Sequence, residues 1–356
     1  MLFRKLVSIL CCLSIALISL SSCRRRDRDK TEKDPDPQYT IYWDMFDTKS
    51  VIYSYANDSK SEFESNHKAV AALLGEYHKL FDIYYKYSGV NNLKTVNEKA
   101  GIEPVKVDAK LIDFLIYAKE IYTLTNGKTN IAMGSVLKLW HDCREDASDE
   151  DNPVYTLPDS AALTEAAKHC NIDDIIIDRE AGTVYLQDPD MRLDVGAIGK
   201  GYATEKAAEL LISRGVTSYV LNIGGNIRMI GEKPSGKGWI TGITNPDKSS
   251  DESIITKIDV KSSSIVTSGN YERFYTVDGV DYHHIIDPDT LMPANYFSSV
   301  SIITPDSALA DALSTALFCM SYEDGLALVN SIGGIEVIWV DLEYNMTSTP
   351  GISFVD

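Results

Sequence analysis

Basic residues are scarce in this chain. It holds 34 Lys and Arg against 52 Asp and Glu, a formal net charge of −18. Such an acidic surface argues against nucleic acid as a partner and against peripheral binding to anionic lipid. It also means that an anionic ligand needs a local positive device or a metal. Cysteine is sparse as well. Of six, Cys11, Cys12 and Cys23 fall in the N-terminal leader, and Cys143, Cys170 and Cys319 are widely spaced. They form no CxxC and no zinc pattern. Cys319, in the apolar run 316–320, reads as a buried thiol; a Cys143–Cys170 pair is left open. There is no H-E-x-x-H and no carboxylate-rich cage, which argues against zinc. No internal repeat is evident, and the apolar stretch 6–20 is too short to span a bilayer comfortably.

That stretch follows Arg4 and Lys5 and ends in Leu20-Ser21-Ser22-Cys23. A small-residue site before a cysteine resembles a bacterial lipobox. The expectation is a signal peptide over 1–22, with Cys23 carrying lipid; the alternative is an ordinary secretory signal, or a weak membrane anchor, with an incidental cysteine. Residues 23–38 are expected to be a flexible tether and 39–356 the folded domain, long enough for a sizeable core. The expected location is a bacterial cell envelope, lipid-anchored to a membrane with the domain outside the cytoplasm.

Glycine organises the middle of the chain. In Leu193-Asp194-Val195-Gly196-Ala197-Ile198-Gly199-Lys200-Gly201-Tyr202-Ala203, three glycines separate a strand pair over 175–186 from a helix over 203–213. The spacing is not G-x-G-x-x-G, so a Rossmann fold is disfavoured. Glycines let backbone N–H groups approach a ligand, and a helix start favours an anion. Lys200 adds positive charge and Asp194 an acceptor. The stretch reads as a place for a phosphorylated ligand, or as no more than a tight connection.

Around it, periodicity predicts strands over 40–55 with a turn at 44–49, helices over 69–87 and from 107 to about 124, and a connector at 93–100 containing Asn97. A helical piece ends at Trp140, an acidic surface insertion fills 141–152, and a helix covers 159–170. Strands are expected at 216–222, 227–230, 239–244, 253–260, 264–267, 274–277 and 281–286. Helices at 308–320 and 321–332 and strands at 336–340 and 345–348 close the chain. Tyr84, Tyr85 and Tyr87 read as core packing, or as one wall of a planar ligand site. The fold class is α+β: a twisted, mixed, largely antiparallel sheet flanked by helices.

Three constellations carry chemistry. Asp311 and Thr315 stand four apart on a helix and face one way. A carboxylate and a hydroxyl suit a hard cation such as Mg²⁺; alternatively, Asp311 caps the helix and Thr315 bonds back to a carbonyl. His283-His284-Ile285-Ile286-Asp287-Pro288 places imidazoles before a proline turn, with His284 and Ile286 on one face. Histidine can accept a hydroxyl proton near neutral pH. The plain alternative is a half-exposed strand histidine with Asp287 as a turn acceptor. Thr267-Ser268-Gly269-Asn270 could hold a phosphate or ring edge, or simply end a strand. Met45 fills a gap or touches a ligand.

Asp194-x-x-Ala197-x-x-Lys200-Gly201-Tyr202-Ala203, Asn222-Ile223-Gly224-Gly225-Asn226, Ser268-Gly269, His284-Ile285-Ile286-Asp287-Pro288 and Ala310-Asp311-Ala312-Leu313-Ser314-Thr315-Ala316 occur in that order. Together they resemble the FAD:protein FMN transferases, the ApbE-type flavin transferases, from about residue 40 to the end. The resemblance implies Mg²⁺ held by the Ala197 carbonyl, Asp311 and Thr315. It implies FAD contacts from Asp194, Lys200, Ser268, Gly269 and the Ile286–Asp287 segment, with Met45, Met133, Gly134 and Ser135 near the adenine or ribose. His284 matches the family's base. The family's Met-Gly-Thr is here Met45-Phe46-Asp47-Thr48, which loses the close backbone approach of a glycine. The implied activity transfers FMN from FAD to a Thr or Ser hydroxyl of an acceptor protein, in this family a membrane redox protein. An FAD pyrophosphatase, or a flavin-binding lipoprotein without turnover, uses the same residues and stays open.

Overall fold

The computed structural model describes residues 34–356. Cys23, the leader and most of the tether lie outside them. Asp34 already accepts a hydrogen bond from the Ser235 N–H (2.9 Å), and β1 (Gln38–Met45) follows.

An eight-stranded antiparallel sheet runs through the molecule. β1 pairs with β2 (Thr48–Ser54), then β6 (Ser218–Ile223), β7 (Asn226–Gly231), β10 (Ser264–Gly269), β13 (Ser299–Thr304), β14 (Glu336–Val340) and β15 (Met346–Ser348). Sequence periodicity passes over β13. Ser299-Val300-Ser301-Ile302 does alternate, but the run is short, and every residue of the strand is buried, the serines included. Val300 and Ile302 face α7 (Ser307–Phe318), and Ile303 joins the cluster on the opposite face. That opposite face is covered by a small sheet of β8 (Trp239–Thr244), β9 (Ile254–Val260) and β16 (Phe354–Val355).

The helical face holds the largest core. α1 (Lys60–Phe81), α3 (Ala109–Leu124) and α6 (Gly199–Ser213) pack there through Leu74, Tyr77, Phe81, Phe114, Leu115, Tyr202 and Ala207. α1 starts nine residues before the expected 69, because Ser59 and Glu62 form a reciprocal capping box. It ends at Phe81, so Tyr84 and Tyr85 are exposed rather than core. The segment at 93–98 is a helix, α2 (Leu93–Glu98). β3 (Val105–Lys106) edges a three-stranded sheet with β5 (Thr183–Leu186) and β4 (Ile175–Asp178).

Two further corrections matter for the site. The expected insertion at 141–152 is largely helix: α4 (Gly134–Ala147) runs two turns past Trp140. Its charged residues are the solvent side of an amphipathic helix whose other side buries Val136 and Trp140. α5 (Ser160–Ala167) is capped by Asp159. Cys143, Cys170 and Cys319 are free thiols, and only Cys319 is fully buried. After α7, α8 (Tyr322–Ile332) completes the helices. Among the described residues, no helix is long and apolar enough to cross a membrane.

Candidate active site

The glycine stretch does its work differently from the expectation. α6 begins at Gly199, four residues early, so Gly199 and Gly201 are its first turn. Both are buried. A Cβ on Gly201 would lie 2.2 Å from the Asp311 Cβ and 2.4 Å from the Ser307 carbonyl oxygen. Its missing side chain therefore lets α6 and α7 touch; it does not open room for a ligand. Gly196 alone of the three faces solvent.

The contact between the helices is polar. The Gly201 N–H donates to Asp311 Oδ2 across 2.7 Å. In a regular helix that N–H would serve the Ala197 carbonyl. Among the described residues, no donor is hydrogen-bonded to the Ala197 carbonyl oxygen. Asp311 is buried, and burial pushes its carboxyl above the usual carboxylate range, opposed by Lys200, the Gly201 N–H and Asn226. It caps nothing: Asp306 is the N-cap of α7. Thr315, one turn on, is half-buried, and neither it nor Asp311 bonds back along the helix; Ser314 does so, to the Asp311 carbonyl (2.9 Å). The site thus gathers a buried carboxylate without a salt bridge, a free carbonyl and a free hydroxyl. Hard oxygen donors of this kind fit Mg²⁺. Asn226, at the start of β7, sets its buried side chain against the Asp311 carboxylate, short of a full hydrogen bond.

Asp194 lies on the approach to α6. Burial raises its carboxyl, while the Gly196 N–H (2.8 Å), His141, Arg144 and Lys200 lower it. The charge of Lys200 lowers both aspartates. The Asp194 backbone is pinned twice. Its N–H donates to the Ile131 carbonyl (2.9 Å). Asn97 grips the preceding residue, with Nδ2 donating to Leu193 O (3.0 Å) and Oδ1 accepting Leu193 N–H (2.7 Å). Met133 bridges in parallel to Arg192, and Gly134 donates to Arg192 O at 3.0 Å. A Cβ on Gly134 would meet that oxygen at 2.5 Å. Ser135 Oγ donates to Asp190 O (2.7 Å). The segment 133–135 therefore stands beside Asp194, and Met133 shares an apolar cluster with Trp140, Tyr275 and Ile286.

β11 (Phe274–Val277) and β12 (Val280–His283) form a hairpin over α4. The expected strand to 286 stops at His283. His283 is buried and structural: Nε2 donates to Ala294 O (2.8 Å), and Nδ1 accepts the Ile285 N–H. His284 faces the other way. Its Nδ1 lies 3.2 Å from Arg273 O. Burial, Arg273, His283 and Arg144 push it down to about 3. Ser268 Oγ, on β10, bonds Ser314 Oγ (2.8 Å) next to Thr315, and Gly269 packs on the Tyr271 ring. Two residues stand apart. Met45 packs in the main core, before a turn in which Phe46 and Asp47 have φ of 55° and 49°. Asp287 spends its carboxylate on Lys128 (2.8 Å) and the Asp289 N–H, the turn-acceptor role.

Asn97, Arg144 and Arg273 were not singled out from the sequence as site residues. No local pattern marks them; they reach the site from a short helix, a supposed insertion and a strand entrance.

By architecture this is an α+β protein of the kind seen in the ApbE protein of Thermotoga maritima, whose crystal structure superposes with a TM-score of 0.77 at 27% identity, over 88% of this chain and 97% of that one. The flavin transferase ApbE from Vibrio cholerae gives 0.73 at 24% identity, over 89% and 98%. The chain belongs to the ApbE family, whose family model matches residues 46–339. It is 35% identical to the FAD:protein FMN transferase of Treponema pallidum over 276 residues, 73% of each chain. It is 25% identical to that of Haemophilus influenzae over 327 residues, 91% of this chain and 89% of the other.

Proposed function

We propose that this chain is an FAD:protein FMN transferase that moves FMN from FAD to a threonine or serine hydroxyl of an acceptor protein, with Mg²⁺ held by Asp311, Thr315 and the Ala197 carbonyl. The observation that carries the metal assignment is the junction of α6 and α7. There a buried carboxylate without a salt bridge accepts one backbone N–H, with Asn226 and the charge of Lys200 nearby, beside an unused carbonyl and hydroxyl. Mg²⁺, when bound, would neutralise charge on the diphosphate oxygens. Lys200 and the start of α6 favour the same anion. Asp194 and the segment 133–135 orient the rest of FAD. His284, kept neutral, takes the proton of the acceptor hydroxyl. The hydroxyl oxygen bonds to the FMN phosphorus, the anhydride P–O bond breaks, and AMP leaves with the bridging oxygen. FMN remains in phosphoester linkage.

The acceptor we expect is a membrane redox protein, and the enzyme stands in the cell envelope, tethered by lipid at Cys23. Incubation with FAD, Mg²⁺ and a candidate acceptor peptide, read by mass spectrometry, tests the chemistry. A flavinylated peptide supports transfer; free FMN indicates hydrolysis, and unchanged FAD a binding protein. Asp311→Ala should abolish transfer while the protein stays folded. Full activity in that variant removes the metal assignment.

A further inference from the structure

β1 is an edge strand with one apolar, uncovered face. Tyr42 turns toward α1, where its hydroxyl meets His67 Nδ1 at 2.7 Å. Tyr39, Ile41 and Trp43 alternate with it and point the other way; they are 62, 38 and 64% exposed. Register sets Tyr39 opposite Tyr53 and Ile41 opposite Val51 on β2, with the tyrosine rings 5.9 Å apart. Lys49 Nζ lies 5.5 Å over the Trp43 ring. These six side chains include no carboxylate, in a chain with 52 acidic and 34 basic residues. The small sheet covers the same face only from Tyr55 inward, where that ring packs against Trp239 at 5.0 Å. The chain leading into β1 identifies what covers the rest. Asp34, held by the Ser235 N–H, stands five positions before Tyr39. It stands eleven positions after Cys23, a reach of about 40 Å at full extension. A domain of this size is about 50 Å across. Lipid at Cys23 therefore keeps the Asp34 side of the domain toward the bilayer. Residues 24–33 hold six basic and three acidic side chains, a positive stretch suited to headgroup phosphates.

We propose that the Tyr39–Ile41–Trp43 face of β1 rests in the headgroup zone of the membrane to which Cys23 is anchored, and so fixes how the domain sits on it. The inference rests on the lipid-anchor reading. Tryptophan and tyrosine favour that zone because each ring is apolar with one polar edge. The Lys49 stem lies along the rings and leaves its ammonium among the phosphates. Contact of this kind is aromatic rather than ionic, so it agrees with the acidic surface and needs no anionic lipid. The acyl chains supply the hold, and the strip supplies orientation.

Full-length protein is reconstituted in phosphatidylcholine vesicles, with and without bromine on the acyl chains near the headgroup, and tryptophan emission is recorded. Lipid at Cys23 is checked by mass spectrometry. Trp140, Trp239 and Trp339 are buried, so a change reports Trp43. Brominated lipid should quench the wild-type emission. The quenching should vanish in Trp43→Phe and fall sharply in Ile41→Asp, which keeps Trp43 but puts a carboxylate on the strip. Tyr39→Ser should lower it in the same direction and carries the test if circular dichroism shows Ile41→Asp unfolded. Lipid at Cys23 without quenching would overturn the strip contact and leave the anchor standing. Emission that follows protein concentration, or that shifts only when an acceptor protein is added, would overturn it in favour of a second copy or a protein partner. Quenching without lipid at Cys23 would overturn the anchor and leave the contact standing, and neither lipid nor quenching would overturn both.

Discussion

His284 shows how one residue's surroundings set its chemistry. Burial and the charges of Arg273 and Arg144 disfavour imidazolium, so the ring is a neutral acceptor far below its ordinary range. A base works in its neutral form, and activity is lost only as pH falls through the depressed value. The kcat/KM profile should therefore show no His284 limb between pH 5 and 8, and His284→Gln should slow transfer about 10²- to 10⁴-fold. A limb near pH 6.5 that disappears in His284→Gln would contradict this. Asp311 is displaced in the opposite sense. Its folded-state value is raised, so the unfolded chain gives up the proton first. That loss of stability is absent below about pH 4, the ordinary carboxyl value, and complete above the raised value, hence present at neutral pH. Asp311→Asn should match or exceed the wild-type melting temperature in EDTA, because an amide oxygen still accepts from Gly201. Adding Mg²⁺ should raise the melting temperature of the wild type and not of the variant. Equal Mg²⁺ shifts in both proteins would show that the ion binds elsewhere.

At the scale of elements, the site exists because two helices come unusually close. Gly201 makes that approach sterically possible, and the Gly201–Asp311 hydrogen bond fixes its register. Alanine is the better helix former by about 1 kcal/mol. Even so, Gly201→Ala should destabilise the protein by about 1–3 kcal/mol, since its Cβ collides with backbone and with Asp311, and neither can yield cheaply. Urea unfolding measures the sign; a stabilised variant would mean that α6 and α7 can part without loss. The β11–β12 hairpin is the second element of the site. It leads directly into His284 and leans on α4 through Trp140, whose ring stacks on Tyr282.

On the scale of the whole molecule, one sheet face carries the helices that build the site, and the small sheet of β8, β9 and β16 closes the other. In the proposed function, the connection to the envelope is assigned to the chain before residue 34, outside the described residues. Metabolic labelling with a fatty acid should mark the protein, and Cys23→Ala should abolish both the label and recovery in the membrane fraction; a variant still labelled would refute the anchor.

The sequence by itself determined the family motifs, the α+β class and most elements, because amphipathic periods, caps and hairpin turns such as Asp278-Gly279 are local. It also showed Asp311 and Thr315 on one helix face, since that spacing is local too. It left β13 unread, a strand of six residues whose alternation lasts only from Ser299 to Ile302, and it did not show that α4 continues through its acidic half. Which partner Asp311 meets was likewise hidden. Only tertiary packing decided that Gly201 serves a helix contact, that Asp287 is committed to Lys128, and that Asn97 pins Leu193 beside Asp194. Those pairings join residues 96 to 159 positions apart, and only burial in a common fold brings them together.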